Sequence, residues 1–534
     1  MCPHRRNGAG RKSLPRVQLS LNVPGMKRLL IYIFAVFGAL SALSAKPIDA
    51  KLDESLRDRI CPQPKELEFF EGITVLERGS PLSVSTENAL SDAEKAAIKG
   101  DIARYWRVPL NIAFAENKAN GQLGLEGSLV KIGGTISIDA KDAIGARQAL
   151  KTLRQFAEAR KNAGGFIFQN ARIKDFASLK FRGMHLCVFP ETTMEQLEKY
   201  IRLAAYYKFN YLVIEPWGVF PYQSHPEFGY AQKKLDRAKF KKLINLCYEL
   251  GITPIPQVSI LGHGTQSRIS TAKNAVLANH PELEDVFEIY GWSYCMTNPK
   301  AEKILKDLIA EIYDFYGRPP FVHLGCDEAY DMGSCHSCRQ YGIAELLADH
   351  LKKFNAYVNN LGARSIIWHD MLLDSKDPRW KNHVAGGTAE IAKALEALPK
   401  NIVIADWQYS YQDKKMTEFA TPKHFKDAGY DVLVCPWEVN TGIVALANTA
   451  KRDNLFGFLE TTWHHLAGNN RFFSFFYVSG DAAWNGGGAV RNTQAVRHAY
   501  PLLKHLWQIG SDIPALPYEA NGSSEKQITT SIPY

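Results

Sequence analysis

The chain has 534 residues, 46% of them hydrophobic and 22% charged, with 39 Gly and 26 Pro. That composition excludes a coiled coil, a collagen-like repeat and a mostly disordered chain. The formal charge of +9 belongs to the start of the chain, where residues 1–45 hold seven Lys/Arg and no Asp/Glu; 57 basic and 55 acidic side chains follow, so a nucleic-acid-binding reading loses its main support.

Residues 1–25 read as an over-extended start. Met26-Lys27-Arg28 opens a short positive segment, Leu29 to Leu43 is apolar and uncharged, and Ala42, Ser44 and Ala45 supply small residues. Residues 26–45 therefore read as a secretory signal peptide cut near Ser44 or Ala45, which implies export to the periplasm or beyond. The alternative is a retained N-terminal anchor, for which the run is a little short. No later segment reaches ~18 uninterrupted apolar residues, so stable membrane insertion after cleavage is not expected.

Residues 46–175 read as a small α+β domain. Strands are expected at Glu66–Phe70, Ile73–Leu76, Leu82–Val84, Lys131–Ile138 and Gly165–Phe168, and helices at Ala89–Trp106 and Asp142–Ala163. From 176 to 510 short β-rich runs alternate with helical stretches. The strands fall at Phe181–Val188, Tyr211–Pro216, Thr253–Ile260, Phe321–Cys326, Ser365–Trp368, Ile402–Asp406, Val432–Cys435 and Phe456–Glu460. Helices follow at Met194–Tyr207, Arg237–Leu250, Ala301–Tyr316, Ile343–Leu361 and Phe472–Trp484. Eight strand–helix units predict an α/β fold, a closed (β/α)8 TIM-type barrel. Residues 511–534, rich in Pro, Gly and Ser, read as an irregular tail.

Of nine cysteines, Cys2 lies in the leader, and Cys335-His336-Ser337-Cys338 is the close pair. A disulfide, half a zinc site and a redox motif all fit that spacing. Without a second such pair a local structural link is the favoured reading, and no metal or cofactor is expected.

In such barrels chemistry sits where the strands end. The successive ends carry Glu215-Pro-Trp217, Gly262-His263, Asp327-Glu328, Trp368-His369-Asp370, Asp406-Trp407-Gln-Tyr409, Trp437-Glu438 and Trp463-His464. Aromatic faces among carboxylates suit a sugar, and no Gly-rich phosphate loop is present. The adjacent carboxyls of Asp327 and Glu328 repel each other, and burial disfavours ionisation further, so one can stay protonated as a general acid must. Neighbouring residues project to different sides. Asp327 is therefore poorly placed to attack the carbon whose leaving group Glu328 protonates, and a nucleophile supplied by a 2-acetamido sugar resolves the difficulty. The bland alternative is a solvated acidic loop. His369 could bind a metal with Asp370 and His323, but strand 1 lacks the His-x-His pair of metal-dependent barrel hydrolases.

His323-Leu-Gly-Cys-Asp327-Glu328 resembles the His-x-Gly-x-Asp-Glu motif of glycoside hydrolase family 20, the β-N-acetylhexosaminidases. Phe181-Arg182-Gly183 is similar to the family's strand-1 Arg-Gly, and Pro256 to His263 to its strand-3 Pro-Gly-His segment. Cys61-Pro-Gln-Pro to Gly72 looks like the opening of the small domain before the barrel. Cys326, Glu215 and Phe220-Pro221-Tyr222 are closer to the hexosaminidase D-like branch.

The resemblance implies an exo-acting, retaining, substrate-assisted β-N-acetylhexosaminidase acting on glycans with terminal β-linked GlcNAc or GalNAc. Glu328 would be the acid/base and Asp327 would orient the acetamido group. Arg182 would hold sugar hydroxyls, and Glu215, His263, Trp368, Asp370, Trp407, Tyr409, Trp437, Glu438 and Trp463 would complete the sugar site. The family's strand-7 Tyr-x-Asp is replaced by Trp437-Glu438, with Tyr409 or Tyr411 as substitutes for the tyrosine. Gln257 stands where many relatives are acidic. Two alternatives stay open: a barrel glycosidase with Glu215 or Glu438 as nucleophile, and a catalytically silent glycan-binding protein.

Overall fold

The computed structural model describes residues 57, 60–159, 165–190, 192–229, 234–265, 276–409, 418–463 and 472–488. The leader over 1–45, the tail over 511–534, Tyr411 and His464 lie outside the described residues. Among the described residues no helix is long and apolar enough to cross a membrane.

The first region is a mixed sheet. Its strands are β1 (Glu66–Leu76), β2 (Pro81–Thr86), β3 (Asn111–Glu116), β4 (Ser128–Gly133), β5 (Thr135–Ala140), β6 (Glu158–Ala159) and β7 (Phe166–Asp175). They lie in the order β1-β7-β4-β5-β2-β3, with β6 beside β7. The two runs expected at 66–70 and 73–76 are one strand, bulged between Phe69 and Ile73. The expected single run at 131–138 is a hairpin, turned at Gly134 with a φ of 72° that suits a residue without Cβ.

Helix α1 (Asp92–Trp106) starts at a Ser91–Glu94 capping box. Helix α2 (Ala143–Phe156), capped by Asp142, is shorter than the expected Asp142–Ala163. It ends where Ala157 turns extended and the chain joins β7 through β6.

The barrel strands are β8 (Phe181–Val188), β9 (Tyr211–Pro216), β10 (Thr253–Pro256), β11 (Phe321–His323), β12 (Arg364–Trp368), β13 (Val403–Trp407), β14 (Asp431–Cys435) and β15 (Gly457–Glu460). All pair in parallel in the order β10-β9-β8-β15-β14-β13-β12-β11. A parallel bridge between Gln257 and His323 closes the circle. Phe181, Val213, Ile255, Phe321, Ile366, Val403, Leu433 and Leu459, one from each strand, form a packed apolar layer inside. This layer plugs the barrel, so the inward polar side chains at the strand ends meet above it.

Helices α3 (Met194–Tyr206), α4 (Arg237–Glu249), α5 (Pro299–Phe315), α6 (Ile343–Asn360), α7 (Ala420–Asp427), α8 (Asn440–Arg452) and α9 (Phe472–Asn485) follow the strands in turn, except after β12, where short helical turns lead to β13. Thr193, Asp236 and Asn298 cap α3, α4 and α5 by accepting backbone N–H bonds.

Buried charges join sheet and barrel. Arg182 Nη2 donates to Glu126 at 2.7 Å, and Lys208 Nζ donates to Asp175 at 2.6 Å. The Trp484 ring of α9 lies against both cations, 4.9 Å from the Arg182 guanidinium carbon and 4.3 Å from Lys208 Nζ, while its indole N–H donates to Asp175.

Candidate functional site

Side chains alternate across a strand, so the apolar layer fixes which residues face the barrel axis. On β8 the inward parity of Phe181 falls again on His185, and on β9 that of Val213 falls on Glu215. On the other strands it falls on Gln257, His323, Trp368 and Trp407. Glu215, Gln257, His323 and Trp368 stand one inward step above the plug, and His185 and Trp407 two.

His185 Nε2 lies 3.1 Å from Glu215 Oε2, and both are buried. Trp368 packs between rings, with centroids 4.3 Å from His323, 5.7 Å from His185 and 5.5 Å from Trp463. Both side-chain amide atoms of Gln257 are buried without a hydrogen-bond partner among the described residues, as is the Trp368 indole N–H. Glu215 and Trp368 thus form the floor of the mouth rather than its wall.

Above β11 the backbone coils through left-handed conformations at Gly325 (φ 65°), Cys326 (81°) and Glu328 (50°). Such backbone is costly for residues with a Cβ and persists where the surroundings impose it. Asp327, between Cys326 and Glu328, is only 3% exposed, whereas the Glu328 side chain is 31% exposed. The two neighbouring carboxyls therefore point into different surroundings, one enclosed and one open.

His263 stands against both, with Nε2 3.1 Å from Asp327 Oδ2 and 3.4 Å from Glu328 Oε2. A Cβ on Gly262 would collide with the Asp327 carbonyl oxygen, so glycine is what lets the strand-3 loop approach this closely. From the same loop Trp292 packs on His263 at 4.3 Å and donates its indole N–H to the Glu328 carbonyl at 2.5 Å.

Asp370 supports the turn from the other side. Its Oδ2 accepts the Glu328 backbone N–H at 2.9 Å, and its Oδ1 accepts the Trp407 indole N–H at 3.3 Å. Burial first, and then the Asp327 charge, pushes the Asp370 carboxyl up to about 7. Burial also raises the Tyr330 hydroxyl, with the Glu328 charge and a hydrogen bond to Glu328 adding to it.

The wall is aromatic. Tyr409 packs on Trp407 at 4.9 Å and on Trp437 at 5.2 Å. Its hydroxyl meets Thr461 Oγ1 at 2.8 Å and accepts the Trp463 indole N–H at 2.5 Å. Trp407, Tyr409, Trp437 and Trp463 are all partly exposed, as ligand-stacking rings must be. Glu438 is partly exposed beside Trp437, with a φ of 69°. Its backbone N–H points to Glu460 Oε1 at 3.4 Å. Glu460 lies on the outward parity of β15, accepts from Ser479 of α9, and is driven well above the usual carboxylate range by burial.

Most of the expected site residues are therefore brought together: Asp327, Glu328, His263, Asp370, Trp407, Tyr409, Trp437, Glu438 and Trp463 around the opening, with Glu215 and Trp368 beneath. Arg182 is not among them. It has the outward parity of Met184 and Leu186 near the start of β8, is 1% exposed, and also donates to the Leu179 and Lys208 carbonyls. Its fork is occupied by a structural ion pair far down the strand. His369 is likewise turned away, 3.0 Å from the Val384 carbonyl and 3.3 Å from Asp406.

Trp292, His185 and Tyr330 were not anticipated. His185 was available from the strand-1 parity; Trp292 and Tyr330 lie in loops without periodicity. Cys335 and Cys338 are free thiols rather than a local link. Among the described residues, the groupings able to hold a metal ion are Glu288 with Cys295, Cys335 and Cys338, and His185 with Cys187 and Glu215.

The arrangement can place a half-exposed carboxyl against a leaving group. A buried carboxylate, held by a histidine, faces the same space, and flat apolar faces can stack on a sugar ring.

Residues 221–477 match the family model described as glycosyl hydrolase family 20, catalytic domain. The chain is 23% identical over 178 residues to hexosaminidase D of Bos taurus, covering 31% of this chain and 48% of that protein. It is 24% identical over 368 residues to a beta-hexosaminidase of Vibrio furnissii, covering 58% of this chain and 57% of the relative. The chain thus spans about half the length of these curated relatives. A solved family 20 exo beta-N-acetylglucosaminidase of Vibrio harveyi, in complex with N-acetylglucosamine, superposes with a TM-score of 0.63 at 16% identity over 85% of this chain and 78% of that one.

Proposed function

From the premise that this chain belongs to glycoside hydrolase family 20, we propose that it is an exo-acting, retaining β-N-acetylhexosaminidase that removes terminal GlcNAc or GalNAc. The observation that carries the reading is the split environment of Asp327 and Glu328 around His263. Glu328, open to the mouth, protonates the departing glycosidic oxygen and later deprotonates water. Asp327, enclosed and held by His263, faces the acetamido N–H and balances the positive charge on the ring that closes. That stabilisation grows toward the transition state, so it serves rate rather than binding. Trp407, Tyr409, Trp437 and Trp463 supply the faces against which the pyranose packs, Trp368 supports them from the floor, and the Tyr409 hydroxyl is the nearest counterpart of the family's strand-7 tyrosine.

An enzyme nucleophile at Glu215 is disfavoured, because that carboxylate sits on the floor against His185. The apolar run at 29–43 supports export, with the enzyme meeting its glycans in the periplasm or outside the cell.

A panel of chromogenic β-GlcNAc, β-GalNAc, β-glucoside and β-galactoside substrates, with and without a thiazoline inhibitor, tests the reading. Turnover confined to the 2-acetamido sugars and blocked by the thiazoline supports it. Rapid hydrolysis of the plain β-glucoside, or a stable glycosyl ester trapped on Glu215, Asp327 or Glu438 by a 2-fluoro sugar, overturns it.

A further inference from the structure

Beside the mouth, three cysteines from two loops converge. Cys295 belongs to the strand-3 loop that also carries Trp292, and Cys335 and Cys338 belong to the loop that leaves Glu328. Cys295 Sγ lies 3.6 Å from Cys335 Sγ and 3.7 Å from Cys338 Sγ. These are neither bonded sulfurs nor casual neighbours. In a tetrahedral site with Zn–S near 2.3 Å, two sulfurs sit roughly 3.8 Å apart.

Glu288 completes the set. Its ligand oxygen and the three sulfurs all lie within 4.8 Å of one another. Oε2 of Glu288 accepts from the Cys335 backbone N–H at 2.6 Å and from Ser334 Oγ at 3.2 Å. Oε1 is buried with no N–H or O–H partner among the described residues.

The surroundings also suit thiolates. The Cys338 backbone N–H donates to Cys335 Sγ at 3.4 Å, and the Thr297 hydroxyl lies 3.4 Å from both Cys295 Sγ and Cys338 Sγ. Hydrogen bonds of this kind orient ligands and tune a metal site from outside it. A disulfide between any two of the cysteines would leave the third without a partner of its own kind. A zinc ion uses all three, and three thiolates with one carboxylate carry the same charge as the ordinary four-thiolate structural set.

We propose that Cys295, Cys335, Cys338 and Glu288 bind a structural zinc ion that ties the strand-3 loop to the strand-4 loop. The tie fixes Trp292 and His263 against Asp327 and Glu328 without the metal touching the sugar site.

The test reads the metal itself. Full-length protein purified in chelator-free buffer retains about one zinc per chain by plasma mass spectrometry, as a closed site of this kind does. Apoprotein loaded with Co2+ shows thiolate-to-cobalt charge-transfer absorption. Cys335→Ser with Cys338→Ser abolishes both signals, and Thr297→Val, which spares every ligand, weakens zinc affinity about 10- to 100-fold. Three results overturn the proposal: wild-type protein that retains no zinc and gives no cobalt charge-transfer band, metal binding undiminished in the double variant, or a peptide map showing Cys295 joined to Cys335 or Cys338.

Discussion

Replacing Asp370 by Asn removes a buried titration without removing the turn it supports. The folded carboxyl ionises at about 7 instead of 3.8, because burial and the Asp327 charge oppose its ionisation. That displacement corresponds to about 4 kcal/mol of preference for the neutral form. Between those two pH values the folded chain holds a proton that the unfolded chain has lost. The contribution of Asp370 to stability is therefore complete below the unfolded value and is lost as pH rises through the folded one. Asn keeps an oxygen for the Glu328 N–H but cannot ionise. Relative to Asp370→Asn, the wild type should lose up to about 4 kcal/mol of stability between about pH 4 and about pH 8. Urea denaturation of both proteins at steps across that range measures the difference, with titrating groups remote from Asp370 cancelling in the comparison. Parallel stability curves for the two proteins would refute the assignment of a proton to folded Asp370.

Glu328→Gln should lower hydrolysis of natural disaccharides by roughly 10²- to 10⁴-fold, because their leaving group needs a proton. Dinitrophenyl glycosides should suffer much less, and equal damage to both substrates in steady-state kinetics would remove Glu328 from the acid role. Asp327→Asn should reduce kcat far more than it changes KM and should weaken thiazoline binding, whereas a pure KM effect would make Asp327 a binding group only. Arg182→Met removes the cation that answers the buried Glu126 carboxylate, to which Gln148 Nε2 still donates. It should cost about 3–5 kcal/mol by denaturant titration and leave kcat/KM of the folded protein unchanged; the opposite pattern would return Arg182 to the sugar site.

The barrel was legible because its buried parallel strands are short apolar runs and the first of them lead to capped helices, Phe181–Val188 to Met194–Tyr206 and Tyr211–Pro216 to Arg237–Glu249. The DE pair was legible because a strand end followed by two carboxyls has few structural uses. Arg182 misled for a physical reason: its neighbours set its rank along the strand but not its face, and one step of parity separates the barrel axis from the helix layer. The second helix overran because nothing between Lys151 and Ala163 breaks helical propensity, whereas the short β6 pairing ends it at Phe156. Trp292 and the third cysteine were invisible because they approach Glu328 and Cys335 only through loop paths, with no period to place them.

The charges joining sheet and barrel bear on how such chains can be rearranged. Arg182 and Lys208 are sequestered beneath the barrel, and the carboxylates that answer them, Glu126 and Asp175, are encoded before its first strand. A barrel excised at residue 176 would keep both cations and Trp484 but forfeit both anions. Any replacement domain that covered both cations without supplying an anion would bury two uncompensated charges, a cost that exceeds the margin by which most domains stay folded. The sheet is thus less an appendage than half of a lock. Swapping the barrel onto another leader domain would succeed only where the new domain brings acidic side chains to those two places.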